Sequence, residues 1–174
     1  MLIDGIHFKK LSEQDPVDVC RRVSCTYDDA NLCYALRVWG DAYRIFPHQH
    51  KIDCIRDRTP ILPDYFHLVM VHFLLGAKDI EPRCEWISEK DIPGGTTFFR
   101  GPHEIPTKLI STRFKNNLKG FSKACAQLKG VPLKMADAAF TFEMTSRIPV
   151  AILYWVGDED FPAESKILYD RTIT

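Results

Sequence analysis

Three consecutive acids are the side chains of this sequence most suited to chemistry. They follow an apolar run that ends in Trp155, within "ILYWVGDEDFP", and they are Asp158, Glu159 and Asp160. Carboxylates so placed can bind a hard cation or serve as a general acid and base. An EF-hand would need further oxygen ligands at fixed spacing, and adjacent residues on a turn usually point apart. The simpler interpretation is a solvent-exposed turn that begins at Gly157, at the end of a buried strand.

Six cysteines and six histidines raise the question of a metal site. Cys20 and Cys25 form a C-x4-C pair, but no second pair has zinc or cluster spacing. His48 and His50 could share a strand face, although a polar loop explains them more simply. No P-loop, G-x-G-x-x-G or G-x-S-x-G motif occurs. We therefore predict no metal and no cofactor, and the sequence favours a protein that is not an enzyme.

A basic stretch is the second charged feature, because no acid occurs between Glu104 and Asp137. On one continuous helix, four lysines of this stretch would lie on one side: Lys108, Lys115, Lys119 and Lys123. A solvated face is the simpler interpretation, and a binding face for an acidic protein or a phosphate backbone is the alternative. No aromatic residues are interleaved with these lysines, so nucleic acid is the less favoured partner.

Hydrophobic patterns predict the elements of the first half of the chain. "DPVDVCRRV" predicts a short helix that Asp15 caps and Pro16 begins. "LCYALRVWGDAYRIF" predicts a hairpin with Gly40-Asp41 in its turn. Its apolar face would comprise Leu32, Tyr34, Leu36 and Val38. "DYFHLVMVHFLLGA" is apolar nearly all round, which predicts a central buried helix in which His67 and His72 lie on different faces.

The second half predicts two strands, one long helix and three further strands. "EWISEKDIPGGTTFF" predicts a strand, a Pro-Gly-Gly turn and a strand. A stripe at helical spacing predicts one amphipathic helix that ends at Gly130, and it comprises Ile110, Phe114, Leu118, Phe121, Cys125 and Leu128. "AAFTFEM" and the central strand "PVAILYWV" are predicted to form an antiparallel pair, and "KILYD" a last short strand or a turn. We predict an α+β fold, with a mainly antiparallel sheet and two or three helices, in a single domain over residues 1–174.

The composition fits this interpretation and predicts where the protein works. The chain has 174 residues, 45% of them hydrophobic, which is enough for a core without disulfides. Lys plus Arg and Asp plus Glu both number 23, so no net charge draws it to nucleic acid or a membrane. The start "MLIDGIHFKK" has no signal-peptide core, and the longest apolar block is too short for a membrane span. We therefore expect a cytoplasmic protein with free thiols.

Several segments, in their order along the chain, resemble a family known as domain of unknown function 3786. They are "EWISEKDIPGG", "DAAFTFEM" and "RIPVAILYWVGDEDFPAESKILYD", and more weakly "DPVDV" and "RVWGDAYRI". The positions that match the family pattern are Glu85, Trp86, Pro93, Gly94, Gly95, Asp137, Trp155, Gly157, Asp158, Glu159, Phe161 and Pro162. Family members continue past "LYD" with a further stretch and a helix, so we expect a C-terminal tail to be missing here.

The resemblance implies no established activity, but it suggests a metabolic setting. The family is found mainly in anaerobic bacteria and archaea. Some members resemble fusions to an iron–sulfur domain like that of corrinoid proteins, so an iron–sulfur or corrinoid protein is the implied partner. Our leading hypothesis is a non-catalytic protein that binds a partner or small ligand in anaerobic redox or one-carbon metabolism. The alternative is an enzyme or cofactor-binding protein with a pocket of Glu85, Trp86, Asp158 and Glu159, with Trp155 beside it.

Overall fold

The computed structural model describes residues 4–55 and 64–173, which divide into two compact units. The first unit runs to Glu81 and includes Met144–Arg147, and the second comprises Pro82–Glu143 and the chain from Ile148 onward. The predicted α+β class is confirmed: the described residues form antiparallel sheets of four and five strands, with six α-helices rather than two or three. The single-domain organisation stays a prediction. No helix among the described residues has the length and apolarity that crossing a membrane requires.

The first unit is a four-stranded sheet with three helices. Its elements are α1 (Gly5–Ser12), α2 (Pro16–Val23), β1 (Thr26–Asp28), β2 (Cys33–Val38), β3 (Asp41–Phe46), β4 (Lys51–Cys54) and α3 (Asp64–Gly76), and the strand order is β1-β2-β3-β4. The helix predicted at Asp15 is confirmed, because the Asp15 carboxylate accepts from the N–H of Val17 at 3.1 Å and Pro16 begins α2.

The hairpin of β2 and β3 is confirmed, but its turn lies one residue earlier than predicted. Trp39 and Gly40 form it, both with positive φ (52° and 81°), as the type I′ form of a two-residue hairpin turn requires. Tyr34, Leu36 and Val38 are buried as expected. Leu32 was wrongly placed on this face, because it precedes β2 and is 48% exposed.

Helix α3 has the predicted bounds but is not buried all round. Met70, Val71 and Leu74 pack into the core, on the side that contacts α1 and α2. Tyr65 and Val69 are 61% and 42% exposed on the other side. Apolar residues thus occur on both faces although only one face is covered, which is why the pattern predicted more burial than the fold provides.

The second unit is a five-stranded antiparallel sheet with helices on one face. Its elements are β5 (Trp86–Ile87), α4 (Gly95–Phe98), α5 (Lys108–Phe114), α6 (Leu118–Gln127), β6 (Val131–Leu133), β7 (Ala138–Thr145), β8 (Ile148–Trp155) and β9 (Glu164–Asp170). The strand order is β5-β9-β8-β7-β6, and the last two residues of β7 belong to the first unit.

Strand β8 is the central strand, as predicted, and side chains on both of its faces are buried. Val150 and Tyr154 face an aromatic cluster, and Ala151 and Leu153 are buried on the opposite face. In the aromatic cluster, the Phe121 ring of α6 stacks on Tyr154 at 4.5 Å between centroids. This packing fixes α6 across the middle of the sheet.

The apolar stripe of residues 110–128 forms two helices instead of one. The chain leaves helical geometry at Lys115 (φ 49°, ψ −121°), and the Asn117 carboxamide then caps α6 by accepting from the N–H of Gly120 at 2.8 Å. The hydroxyl of Tyr154 donates to the Lys115 carbonyl at the break. The placement of Leu128 on the core stripe was wrong, because it lies beyond α6 and is 73% exposed.

The predicted strand after the Pro-Gly-Gly turn is also wrong, because that segment is the short helix α4. Gly94 has φ 77°, and a Cβ on Gly95 would lie 1.8 Å from the carbonyl oxygen of Glu89. The chain therefore folds back tightly onto the 3₁₀ turn Glu89–Asp91 and cannot extend as a strand.

Asp170 joins the start of this unit to the end of β9. Its buried carboxylate accepts from the N–H groups of Arg83 (3.2 Å) and Cys84 (2.6 Å) and from the Thr172 hydroxyl (2.7 Å). Burial alone would raise the pKa of Asp170, but the hydrogen bonds from Thr172, Arg83 and Cys84 outweigh it and hold the pKa below its usual value.

We expect Asp170→Asn to lower the free energy of unfolding by about 2 kcal/mol at pH 7, because the buried donors lose a charged acceptor. The folded-state pKa of Asp170 lies below the unfolded value, so its contribution is present above about pH 4 and disappears as the pH falls through the folded pKa. In urea titrations at pH 7 and pH 3, the variant should therefore approach wild type at the lower pH. Asp160→Asn, at an exposed position, is the control. An equal loss at both pH values would contradict this role.

Candidate functional site

A groove of about 1090 Å³ lies in the second unit. Its walls come from α5, from the segment before α5, and from the loop that joins β8 to β9. Apolar side chains line much of it, and they are Phe99, Ile105, Phe161, Pro162, Ala163 and Ile167. The Phe161 ring is 71% exposed, so a large aromatic surface faces solvent in this groove.

The groove runs along the edge of β9. Consecutive residues, from Ala163 to Ile167, all line it, although alternate side chains of a strand point to opposite faces. The Ser165 hydroxyl donates to the carbonyl of Thr107 on one face, at 2.7 Å, and the Lys166 ammonium lies 5.7 Å from the Trp155 ring on the other. A groove that follows the strand edge meets both sets of residues.

Charged side chains of both signs surround the groove. The cations are Lys90, Arg100, Lys108, Lys115 and Lys166, and the acids are Glu89, Glu104, Asp158 and Glu164. Lys166 pairs with Glu164 at 3.4 Å. No carboxylate among residues 4–55 and 64–173 lies within 4.0 Å of the other four cations.

The acidic turn at the end of β8 uses its first carboxylate to hold its own shape. One oxygen of Asp158 accepts from the N–H groups of Asp160 (2.9 Å) and Phe161 (2.8 Å), and the Asp158 N–H donates to the Phe161 carbonyl at 2.9 Å. Glu159 and Asp160 are exposed. The turn therefore holds Phe161 at the groove, and the three acids do not point to a common centre.

Gly157 is required because the backbone folds closely over it. A Cβ there would lie 2.7 Å from the Ala163 nitrogen and 2.8 Å from the Phe161 carbonyl oxygen. The carboxamide of Asn116, in the break between α5 and α6, accepts from the Gly157 N–H at 2.9 Å. This hydrogen bond thus connects the end of α5 on one side of the groove to the β8–β9 loop on the other.

The sequence-predicted site residues separate into two groups. Lys108, Lys115 and Asp158 line the groove. Lys119 and Lys123 lie on α6, outside the lining, because the helix break separates them from the other two lysines. Their roles in binding stay predictions.

The predicted pocket of Glu85, Trp86, Asp158 and Glu159 is not formed. Trp86 pairs with Asp170 at one end of β9, while Trp155 pairs with Glu164 at the other. Six residues of strand separate these positions by roughly 20 Å. The Glu85 carboxylate pairs with the Arg171 guanidinium at 3.0 Å. Both tryptophans pack on the same sheet face, but at opposite ends of it.

The described cysteines and histidines do not gather into a metal site, since no group of three or more His, Cys, Asp or Glu is placed to hold an ion there. The Sγ atoms of Cys20 and Cys25 are 3.6 Å apart, and burial raises the pKa of both thiols. His48 lies in the 3₁₀ turn Pro47–Gln49 and His50 follows it, so the polar-loop interpretation describes them correctly.

The sequence pattern does not indicate several other groove residues. Phe99, Arg100 and Ile105 lie in a segment that was expected to begin as a strand, and Asn116 in one that was expected to be helical. The signals that could have revealed them are Gly101-Pro102 and Pro106, which punctuate a loop, and the Asn116-Asn117 pair, whose carboxamides compete with helical hydrogen bonds.

Together, these features define an α+β protein with an open groove at a sheet edge. The family model for a domain of unknown function (DUF3786) matches residues 15–174, and the chain belongs to this family. No curated protein and no solved structure matches the chain.

We expect Gly157→Ala to destabilise the protein by about 1–3 kcal/mol, because backbone atoms that cannot move aside occupy the position of the new methyl group. Urea unfolding would measure the loss. Gly76→Ala is the matched control, since a Cβ there meets nothing within 4 Å. A stability for Gly157→Ala equal to that of the control would contradict the close approach.

Proposed function

We propose that this chain is a non-catalytic binding protein and that the groove binds an acidic, partly apolar segment of a protein partner. The observation that carries the proposal is an apolar lining beside four cations that have no carboxylate within 4.0 Å among the described residues. An apolar lining supplies affinity when it is buried, and charges at the rim select the sign of the ligand.

The size and openness of the groove favour a chain segment over a small molecule. Pockets for small ligands typically measure about 300–1,000 Å³ and enclose most of the ligand. The volume of about 1090 Å³ lies at the upper end of that range, but the groove follows a strand edge and does not enclose a ligand. A peptide segment can fill such a groove lengthwise.

Acid–base catalysis has less support from the same residues. A catalytic carboxylate must be free to exchange a proton with the substrate. Two of the four groove acids are already engaged, since Asp158 accepts two backbone hydrogen bonds within its own turn and Glu164 pairs with Lys166, and Glu104 is exposed to solvent. The arrangement therefore favours recognition of a ligand over its chemical conversion.

The family resemblance suggests which proteins would carry the acidic segment. Because some relatives resemble fusions to an iron–sulfur domain of the corrinoid-protein type, we infer a cytoplasmic iron–sulfur or corrinoid protein of anaerobic redox or one-carbon metabolism. In this chain the contact would form between separate proteins. The acid-free stretch from Ile105 to Ala136 supports attraction of a negatively charged surface.

We expect the protein to select acid-rich sequences from a random library of 12-residue peptides displayed on phage. The double variant Lys108→Glu/Lys115→Glu should weaken the selected peptides about tenfold, because each reversal at an exposed site is worth about 0.5–1 kcal/mol. Fluorescence anisotropy with a synthetic peptide would measure the dissociation constant, at low salt and at high salt, where screening should shrink the effect.

The matched control is Lys119→Glu/Lys123→Glu, which makes the same charge change on α6 outside the groove. It should leave the dissociation constant within about twofold. Failure to select peptides, or equal weakening by both double variants, would refute binding in the groove.

We expect Phe161→Ala to weaken the same peptide at least about tenfold, because exposed aromatic side chains in a groove commonly dominate binding. The melting temperature should not fall, since the ring is already 71% exposed. Phe98→Ala removes another exposed ring, one outside the groove lining, and should leave binding unchanged. An unaltered dissociation constant for Phe161→Ala would count against an apolar contact at this position.

A further inference from the structure

Among residues 4–55 and 64–173, no strand pairs with the outer edge of β9 over most of its length. On the inner side, β8 pairs with β9 from Glu164 to Tyr169. On the outer side, β5 pairs only with Tyr169 and Asp170. Within the described part of the chain, no backbone hydrogen bond outside the pairing with β8 involves residues 164–167.

The open edge has a specific cause in the sequence. The Ser88 hydroxyl accepts from the Lys90 N–H at 3.3 Å, and the Asp91 carboxylate accepts from the Ser88 N–H at 2.9 Å. This capping box starts the 3₁₀ turn Glu89–Asp91 and ends β5 after two residues. The chain therefore turns away from β9 just before it would have paired with residues 164–167.

Strand geometry determines what the open edge offers. The N–H and C=O of one residue point to the same side of a strand, and successive residues alternate between sides. Two of the four residues from Glu164 to Ile167 therefore direct an N–H and a C=O into the groove. These are the donors and acceptors that an extended peptide backbone complements.

We propose that the partner segment binds by adding a strand to β9, in the position that a continuation of β5 beyond Ser88 would have taken. This inference rests on the proposed function and specifies its mode of recognition. The peptide lies extended along Glu164–Ile167, its main chain bonds to the two outward-facing residues, and its acidic side chains face Lys108, Lys115 and Arg100. Phe161 and Ile105 contact its apolar side chains.

A partner's segment fits this edge better than a second copy of the chain. The lining has five cations and four acids, a small positive excess that two β9 edges brought together would double. An acidic peptide instead offers carboxylates to Lys90, Arg100, Lys108 and Lys115, which have none within 4.0 Å among the described residues. At the other side of the sheet, the edge strand β6 carries Pro132, which has no N–H to donate to an incoming strand.

The test uses the peptide that the phage library selects and two N-methylated forms of it. One form carries methyl groups on the odd-numbered backbone amides and the other on the even-numbered ones, so that side chains and methyl count are matched. Strand addition uses the amides of one edge only. One form should bind at least about tenfold more weakly, while the other stays within about twofold of the parent.

Hydrogen exchange of the protein, followed by NMR, supplies the second readout. Peptide binding should slow exchange at two alternating amides of Glu164–Ile167, while the amides bonded to β8 stay as protected as before. Equal binding of both N-methylated forms, or unchanged exchange on β9, would overturn strand addition but leave groove binding intact. No measurable binding of the unmodified parent peptide would overturn both strand addition and binding in the groove. A dimer by sedimentation, with the β9 edge protected in the free protein, would assign the edge to a second copy instead.

Discussion

The hydrogen bond from the Tyr154 hydroxyl to the Lys115 carbonyl connects the core of the second unit to its groove. The Tyr154 ring belongs to the aromatic cluster on the central strand, where it stacks on Phe121. Its hydroxyl is therefore fixed where the chain leaves α5, and it satisfies a carbonyl that the ended helix leaves unpaired. Because the chain turns at this point, the next residue, Asn116, can reach across to the N–H of Gly157. The packing of the core thus determines the position of this wall of the groove.

The groove depends equally on an element that ends early. Proteins usually keep sheet edges short or covered, since an open edge invites pairing with other chains. Here the capping box of Ser88 and Asp91 ends β5 after two residues, while Asp170 holds the same segment firmly at the far end of β9. Within the part of the chain that the structure describes, β9 is therefore anchored at one end and has no outer neighbour along the rest. A preorganised frame around an open edge suits recognition, because little backbone conformational freedom must be lost when a ligand adds to it.

The local sequence pattern predicts the helices and strands more accurately than it predicts which residues lie together at the groove. The central strand and the Asp15-capped helix follow from burial and capping, which nearby residues determine, and both are confirmed. The sequence does not predict the break at Lys115, because the apolar spacing continues through it. There the Asn116 carboxamide binds the distant N–H of Gly157, and the Asn117 carboxamide caps a new helix. Glu85 and Trp86 were expected beside Asp158, but strand register places them at the opposite end of β9. Register depends on partners far away in sequence.

By itself, the sequence determined the α+β class, the central strand "PVAILYWV", the family and the acid-free basic stretch, because these are properties of composition and local periodicity. It also marked "WVGDEDFP" as distinctive. Only the tertiary structure showed that Asp158 shapes a turn, that Gly157 is required by the backbone folded over it, and that Phe161 lines a groove. It alone decided that Lys108 and Lys115 share that groove while Lys119 and Lys123 do not. The physical reason is that a groove is made by segments that meet across the fold, and its charges and edges exist only once those segments have packed.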